Sequence, residues 1–200
     1  MKIEIDAQTV KKLRDETGAG MMNCKKALTE NNGDYEKAID SLRLKGMATA
    51  DKKASRNTNE GLIYAYIHTG SKLGILVEVN CETDFVARRP EFNDLAKNIG
   101  MQIASNPEIE VVSTEDILES VKDEVWKFES AKEDLKNKPE EIRNKIVLGR
   151  VAKSLKKQVL LEQEYIRDPS LTVNEYIKQV VSILGENMRV SRFTRYVLGE

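Results

Sequence analysis

The sequence predicts an α+β fold: an N-terminal three-helix module, then a core with an antiparallel sheet that carries an inserted antiparallel helical hairpin. Three observations carry that expectation. Apolar residues recur at spacings of three and four over most of the chain, the period of an amphipathic helix. Residues 62–68 and 74–81 are instead strand-like runs joined by Thr69-Gly70-Ser71-Lys72, the pattern of a hairpin, and the second alternates with period two. A last β-branched and aromatic run, 188–198, comes from the far end of the chain and is placed to close the same sheet.

In residues 1–54, Val10, Leu13 and Arg14 set a first helical spacing that Thr17-Gly18-Ala19-Gly20 breaks. Met21, Cys24, Ala27 and Leu28 supply the face of a second helix, ended by Asn31-Asn32-Gly33. Asp34 is poised as N-cap of a third. There Tyr35, Ala38, Ile39 and Leu42 recur until Gly46, which is expected to close the helix. Residues 51–59 are polar, with Lys52, Lys53 and Arg56 together, and read as a solvated hinge.

The α+β core is expected in 55–113 and 168–200. Ile75, Val77, Val79 and Cys81 alternate with Glu78, Asn80 and Glu82. The alternation stops at Thr83, and Asp84-Phe85 stand at the strand exit. Those two residues admit two readings: a helix cap beside a core aromatic, or a carboxylate and an aromatic projected from a rigid edge into a partner. Pro90 suits the first turn of the next helix, where Phe92, Leu95, Ala96, Ile99 and Ile103 form one apolar face that should pack on the sheet. Asn106-Pro107 ends it, and 108–112 reads as a further short strand.

Residues 114–167 read as the inserted hairpin. After the capping signal Ser113-Thr114 with Asp116, Ile117, Leu118, Val121, Val125, Phe128 and Leu135 form one stripe. Asn137-Lys138-Pro139 makes the turn, and Ile142, Ile146, Gly149, Ala152 and Leu155 repeat close to a heptad. Two helices of about twenty residues joined so briefly should run antiparallel. Lys132 interrupts the seam, and Trp126 falls off the stripe. After Asp168-Pro169-Ser170 a further helix (Val173, Tyr176, Ile177, Val180, Val181, Leu184) leads to Gly185-Glu186-Asn187 and the arginine-bearing strand.

Composition narrows the function. With 200 residues, 32% charged and 40% apolar, the chain can bury a core and has the make-up of a soluble globular protein. Its net charge of -1 argues against bulk attachment to nucleic acid. No apolar run approaches the roughly 18–20 residues that span a bilayer. The stretch MKIEIDAQTVKKL has neither a signal-peptide core nor transit-peptide character, so the chain is expected to work where it is made. Cys24 and Cys81 read as reduced core residues. With His68 as the one histidine, no common Cys/His zinc site is expected, and no cofactor.

Neither a Gly-x-x-x-x-Gly-Lys-Ser/Thr phosphate loop nor a Gly-x-Ser-x-Gly elbow occurs, so neither nucleotide binding through such a loop nor covalent chemistry is expected. Glu82 and Asp84 have the spacing of a carboxylate dyad, but Glu82 lies opposite Cys81 and no substrate pocket is implied. Lys153, Lys156 and Lys157, with Arg189, Arg192 and Arg195 beside Phe193 and Tyr196, carry the ingredients of a single-strand RNA binder. Charged faces on packed elements explain the same residues, and no RNP-like or GXXG signature accompanies them.

Three stretches resemble elongation factor Ts of bacteria and organelles. LRDETGAGMMNCKKAL with NNGDYEKAIDSLRLKG is similar to that family's ubiquitin-associated-like N-terminal module, GILVEVNCETDFVA to its core strand and Thr-Asp-Phe motif, and LGENMRVSRFTRY to its C-terminal strand. The length matches short members with one core unit, and IRDPSLTV is similar to cyanobacterial and plastid versions. The resemblance implies guanine-nucleotide exchange on elongation factor Tu, bound in its GDP and nucleotide-free forms. Thr83, Asp84, Phe85 and Val86 would enter the partner's magnesium–phosphate region, and Arg14, Thr17, Gly18, Met21, Met22 and His68 are implied as further contacts. It implies no enzyme chemistry, no membrane and no nucleic acid. A homodimer would supply the half that short forms lack, and the setting would be a cytoplasm, or a plastid stroma for an organelle-encoded chain. An RNA-binding or scaffold module without exchange activity stands as the alternative.

Overall fold

The computed structural model describes residues 5–135 and 138–200. Asp6 opens helix α1 (Ala7–Thr17), its carboxylate accepting the amides of Gln8 and Thr9. Gly18 closes α1 at φ 67° with its N–H on the Arg14 carbonyl. Helix α2 (Met21–Glu30) and helix α3 (Tyr35–Asp51) follow, the latter capped by Asp34. Val10, Leu13, Cys24, Ala27, Leu28, Ala38 and Leu42 form their common core.

Two expectations change in this module. Met21 is 42% exposed and lies off the buried face of α2. Gly46 does not end α3, which continues to Asp51. A mid-helix glycine costs only about 1 kcal/mol against alanine and does not stop a helix. Its use here is close approach, since a Cβ at Gly46 would lie 3.0 Å from the Ser182 hydroxyl.

Strands β1 (Glu60–Ile67) and β2 (Leu73–Cys81) form the expected hairpin. A single helical turn, α4 (Asp84–Ala87), separates β2 from α5 (Pro90–Ser105). Helices α6 (Glu119–Ser130) and α7 (Glu140–Lys156) come next, then strands β3 (Glu164–Tyr165) and β4 (Asp168–Thr172), helix α8 (Val173–Leu184) and strand β5 (Met188–Val197). The three-stranded sheet has the order β1-β2-β5. Leu198 N–H donates to the Lys72 carbonyl while Arg192 pairs with Glu78, so β5 runs antiparallel to β2. On α5, Phe92, Leu95, Ala96, Ile99 and Ile103 are all fully buried. Its second half meets the sheet so closely that a Cβ at Gly100 would stand 2.9 Å from that of Tyr66.

The hairpin departs furthest from the sequence reading. Its helices have 12 and 17 residues. The Ser113–Asp116 capping box closes one 3-10 turn, Thr114–Asp116, ahead of α6. Ile117 and Leu135 are buried with Val147, Val151, Leu155 and Val159, whereas Leu118 and Phe128 are exposed. The buried face of α7 is thus Val147-Val151-Leu155; Ile142 is half-exposed and Ala152 exposed. Both sets repeat at helical spacing, and only the neighbouring helix selects one. Lys132 pairs with buried Glu129 and lies over the Phe128 ring. Asn137 lies outside the described residues. Residues 108–112 form no strand beyond one parallel bridge, Val111 to Val159. The β3–β4 ribbon appears where the sequence indicated only a turn.

The chain forms two compact units, 5–62 with Asn80–Leu95 and Glu175–Arg189, and Ile63–Val79 with Ala96–Asn174 and Val190–Glu200. No helix among the described residues is long and apolar enough to cross a membrane.

Candidate functional site

Cys81 is the last residue of β2. Its buried thiol donates to the carbonyl of Thr83, 3.1 Å away, as the chain turns off the strand. Thr83 has extended backbone and caps α4, its hydroxyl oxygen accepting the Val86 N–H at 3.4 Å. Thr83, not Asp84, is therefore the cap. Asp84 is partly buried in the first turn and pairs with Arg88 at 2.8 Å. Asn93 holds the end of the turn by donating to the Arg89 carbonyl. With α4 only four residues long, one side chain must point outward, and it is Phe85, 78% exposed. Phe85 is not a core aromatic, and leaving it in water forgoes about 1.5–3 kcal/mol of burial. Val86, next to it, is half-buried.

Three residues that the sequence reading gave no role hold this turn. Glu186 receives the Thr83 N–H at 3.0 Å and the Thr83 hydroxyl at 2.6 Å. Glu82 receives the Asn187 N–H at 2.6 Å and pairs with Arg56 at 3.4 Å. The buried Asn187 amide donates to the carbonyls of Ala54 and Arg56. Residues 51–59 are therefore not a solvated hinge throughout, and Thr58 is buried as well. The available signal was Glu186-Asn187 directly after a helix-ending glycine, two polar residues just ahead of a strand. Burial pushes the Cys81 thiol up to about 11, with the Glu186 charge adding to it.

In the same unit the α1–α2 turn gathers most of the further contacts implied by resemblance. Thr17 hydroxyl donates to the Leu13 carbonyl and accepts the Ala19 N–H. Gly18 is left-handed, and a Cβ there would meet Ile183 of α8 at 3.0 Å. Arg14 is exposed in the last turn of α1, and Met22 is 78% exposed beside Met21. Lys178 pairs with Asp51 at 2.6 Å, and Lys53 donates to the Gly185 carbonyl, so α8 is tied to the C-terminal end of α3. His68 belongs to the other unit, exposed at the β1–β2 turn with its Nδ1 3.0 Å from the Tyr66 hydroxyl.

Two of the three arginines of β5, Arg192 and Arg195, are engaged within the fold. Arg195 donates to the carbonyls of Ile103, Asn106 and Pro107, satisfying the end of α5, and Arg192 pairs with Glu78. Lys156 pairs with Glu162.

The turn is thus anchored to Glu186 by two hydrogen bonds and displays one exposed aromatic, Phe85. The family model described as Elongation factor TS matches residues 6–200. The chain is 83% identical over 200 residues to the chloroplastic elongation factor Ts of Phaeodactylum tricornutum, covering 100% of this chain and 99% of that one. It is 59% identical to that of Rhodomonas salina, covering 100% and 91%, and 56% identical to elongation factor Ts of Synechococcus elongatus, covering 98% and 89%. The molecule is a translation elongation factor. Within that class, the chain belongs to the elongation factor Ts family.

Proposed function

We propose that the chain is a guanine-nucleotide exchange factor for elongation factor Tu, and that Thr83, Asp84, Phe85 and Val86 enter the region supporting the partner's magnesium and phosphates. The observation that carries this reading is the 78% exposure of Phe85 on a turn braced by Glu186. Exchange breaks no covalent bond. The factor must bind the nucleotide-free partner more tightly than the GDP form, and by linkage each weakens the other's binding equally. Every tenfold of mutual weakening needs about 1.4 kcal/mol. Inserting Phe85 supplies about 1.5–3 kcal/mol, one to two decades, and it recovers burial that the free factor lacks. The remainder falls to the wider surface, to which Arg14, Thr17, Gly18, Met21, Met22 and His68 are assigned. Asp84 brings a carboxylate to compete with groups around the magnesium ion.

In this reading 1–54 docks, 55–113 with 168–200 forms the core, and 114–167 is an insertion. Ile63, Leu76 and Tyr196 are exposed on the face of the sheet opposite the buried Ile75, Val77 and Val79, and a second copy covers that face in a homodimer. Light scattering on the wild type and on Ile63→Glu tests it: a monomeric wild type removes the dimer. The chloroplastic relatives support a plastid stroma as the setting.

Stopped-flow release of a fluorescent GDP from elongation factor Tu, with and without the purified chain, tests the activity. Acceleration that saturates with factor concentration is expected. Unchanged release together with salt-sensitive RNA retention would replace exchange by the RNA-binding alternative.

A further inference from the structure

We propose that Glu186 is a positioning residue for exchange. Its carboxylate, reaching from the end of α8, sets the direction in which the Thr83–Val86 turn presents Phe85. The proposal rests on the exchange reading above and deepens it.

The geometry begins where the β2–β5 ladder stops. Beyond Cys81 and before Met188 the two chains no longer exchange backbone hydrogen bonds as a ladder, yet the amides of Thr83 and Asn187 still need acceptors. Each is met by an acid on the opposite chain: Glu186 takes the Thr83 N–H and Glu82 takes the Asn187 N–H. Carboxylates replace carbonyls at this point, so the strands can part and the turn can leave the sheet without an orphaned donor. Glu186 takes the Thr83 hydroxyl proton too, leaving that oxygen's lone pairs for the Val86 N–H. The cap of α4 and the anchor to α8 therefore share one atom, and the orientation of α4 follows from the position of the Glu186 carboxylate.

That position is itself fixed. Gly185 ends α8 in left-handed conformation, its N–H on the Val181 carbonyl and its own carbonyl receiving the Lys53 ammonium. Asn187, the residue after Glu186, is held by Glu82 and by the carbonyls of Ala54 and Arg56. Through these contacts the segment leaving the three-helix module and the turn bearing Phe85 are fastened to the same three residues. A docking surface and a probe so joined arrive together, and slack in the joint misplaces the aromatic without weakening the docking face.

The test uses the full-length chain as wild type, Glu186→Ala, Glu186→Gln and Thr83→Val, with release of fluorescent GDP from elongation factor Tu followed against factor concentration. Glu186→Ala is expected to lower the maximal release rate about tenfold or more while the half-saturating concentration stays within about twofold, the split expected when positioning rather than docking is lost. Glu186→Gln can accept the Thr83 amide with its oxygen and donate to the hydroxyl, so it should stay within about threefold of wild type. Thr83→Val keeps the side-chain shape without the hydroxyl and should fall between them. Amide hydrogen exchange at Thr83 and Val86 should quicken in Glu186→Ala. Wild-type release rates in Glu186→Ala, or Glu186→Gln as slow as it, would overturn the proposal. Should Glu186→Ala not fold, an unaltered maximal rate in Thr83→Val does the same. If the wild type leaves GDP release unchanged, the exchange reading fails and takes this proposal with it; acceleration by wild type and Glu186→Ala alike overturns the positioning role alone.

Discussion

Thr83 and Glu186, 103 positions apart in the chain, are joined by two hydrogen bonds, amide to carboxylate at 3.0 Å and hydroxyl to carboxylate at 2.6 Å. The pair turns a strand exit into a rigid mount. Its consequence is that Phe85 can be exposed without being loose, because the cost of ordering the turn is met by buried and half-buried neighbours.

Phe85→Ala should therefore separate activity from stability. Exposed in the free factor, Phe85 contributes little to folding, and the unfolding free energy should shift by no more than about 0.5 kcal/mol. Stimulated GDP release should fall by roughly one to two decades, the equivalent of about 1.5–3 kcal/mol of lost insertion. Stopped-flow and urea denaturation on one preparation check both halves, and an unchanged release rate removes Phe85 from the mechanism.

Two helical glycines should respond in opposite directions. A Cβ at Gly149 on α7 meets nothing within 4 Å, so Gly149→Ala should stabilise by about 0.5–1 kcal/mol through helix propensity alone. At Gly46 a Cβ already crowds Ser182, 3.0 Å from its Oγ and 3.2 Å from its Cβ, and the second atom cannot rotate away. Gly46→Leu should destabilise by about 1–3 kcal/mol as α3 is pushed off α8. Thermal denaturation of the two variants beside the wild type reads the signs.

Stability should decline in alkali on account of Cys81. Its thiol is raised to about 11 in the folded chain, chiefly by burial, so the folded state holds a proton that the unfolded state releases at lower pH. The contribution is complete below the unfolded thiol's pKa, near 9, and is lost as pH rises toward 11; it is on the order of 2 kcal/mol. Cys81→Ala should flatten the loss between pH 9 and 11, and thiol-reactive dyes should modify Cys81 slowly at neutral pH. A wild type and variant with parallel stability–pH curves would contradict this.

Arg195 and Arg192, three residues apart on β5, should differ sharply. Arg195 donates to three carbonyls at the end of α5, whereas Arg192 makes one exposed pair with Glu78. Arg195→Ala should cost about 2–4 kcal/mol, from lost charge-assisted bonds and stranded carbonyls, and Arg192→Ala no more than about 1 kcal/mol. Equal losses in chemical denaturation would refute the distinction.

Much of this molecule was legible in its residues. The Asp34 cap, the alternation of Ile75, Val77 and Val79, and the Phe92-Leu95-Ala96-Ile99-Ile103 face all appear as read, because each depends on local geometry and a single period. The departures share a cause. Gly46 has the local signal of a helix end, but its role lies in Ser182, distant in sequence, and two apolar faces compete for the α7 seam, between which only the partner helix chooses.

The same division runs through the candidate site. The sequence by itself determined that an acid and an aromatic follow a buried strand, and its family resemblance points to Thr83-Asp84-Phe85 as a candidate site. It left open whether Phe85 lay in the core or in water, since a lone aromatic after a strand has no period to read. The tertiary structure decided that, along with the roles of Glu82, Glu186 and Asn187. Those roles are hydrogen bonds across 103 and 105 positions of chain, and an acceptor supplied from so far away leaves no trace in local spacing.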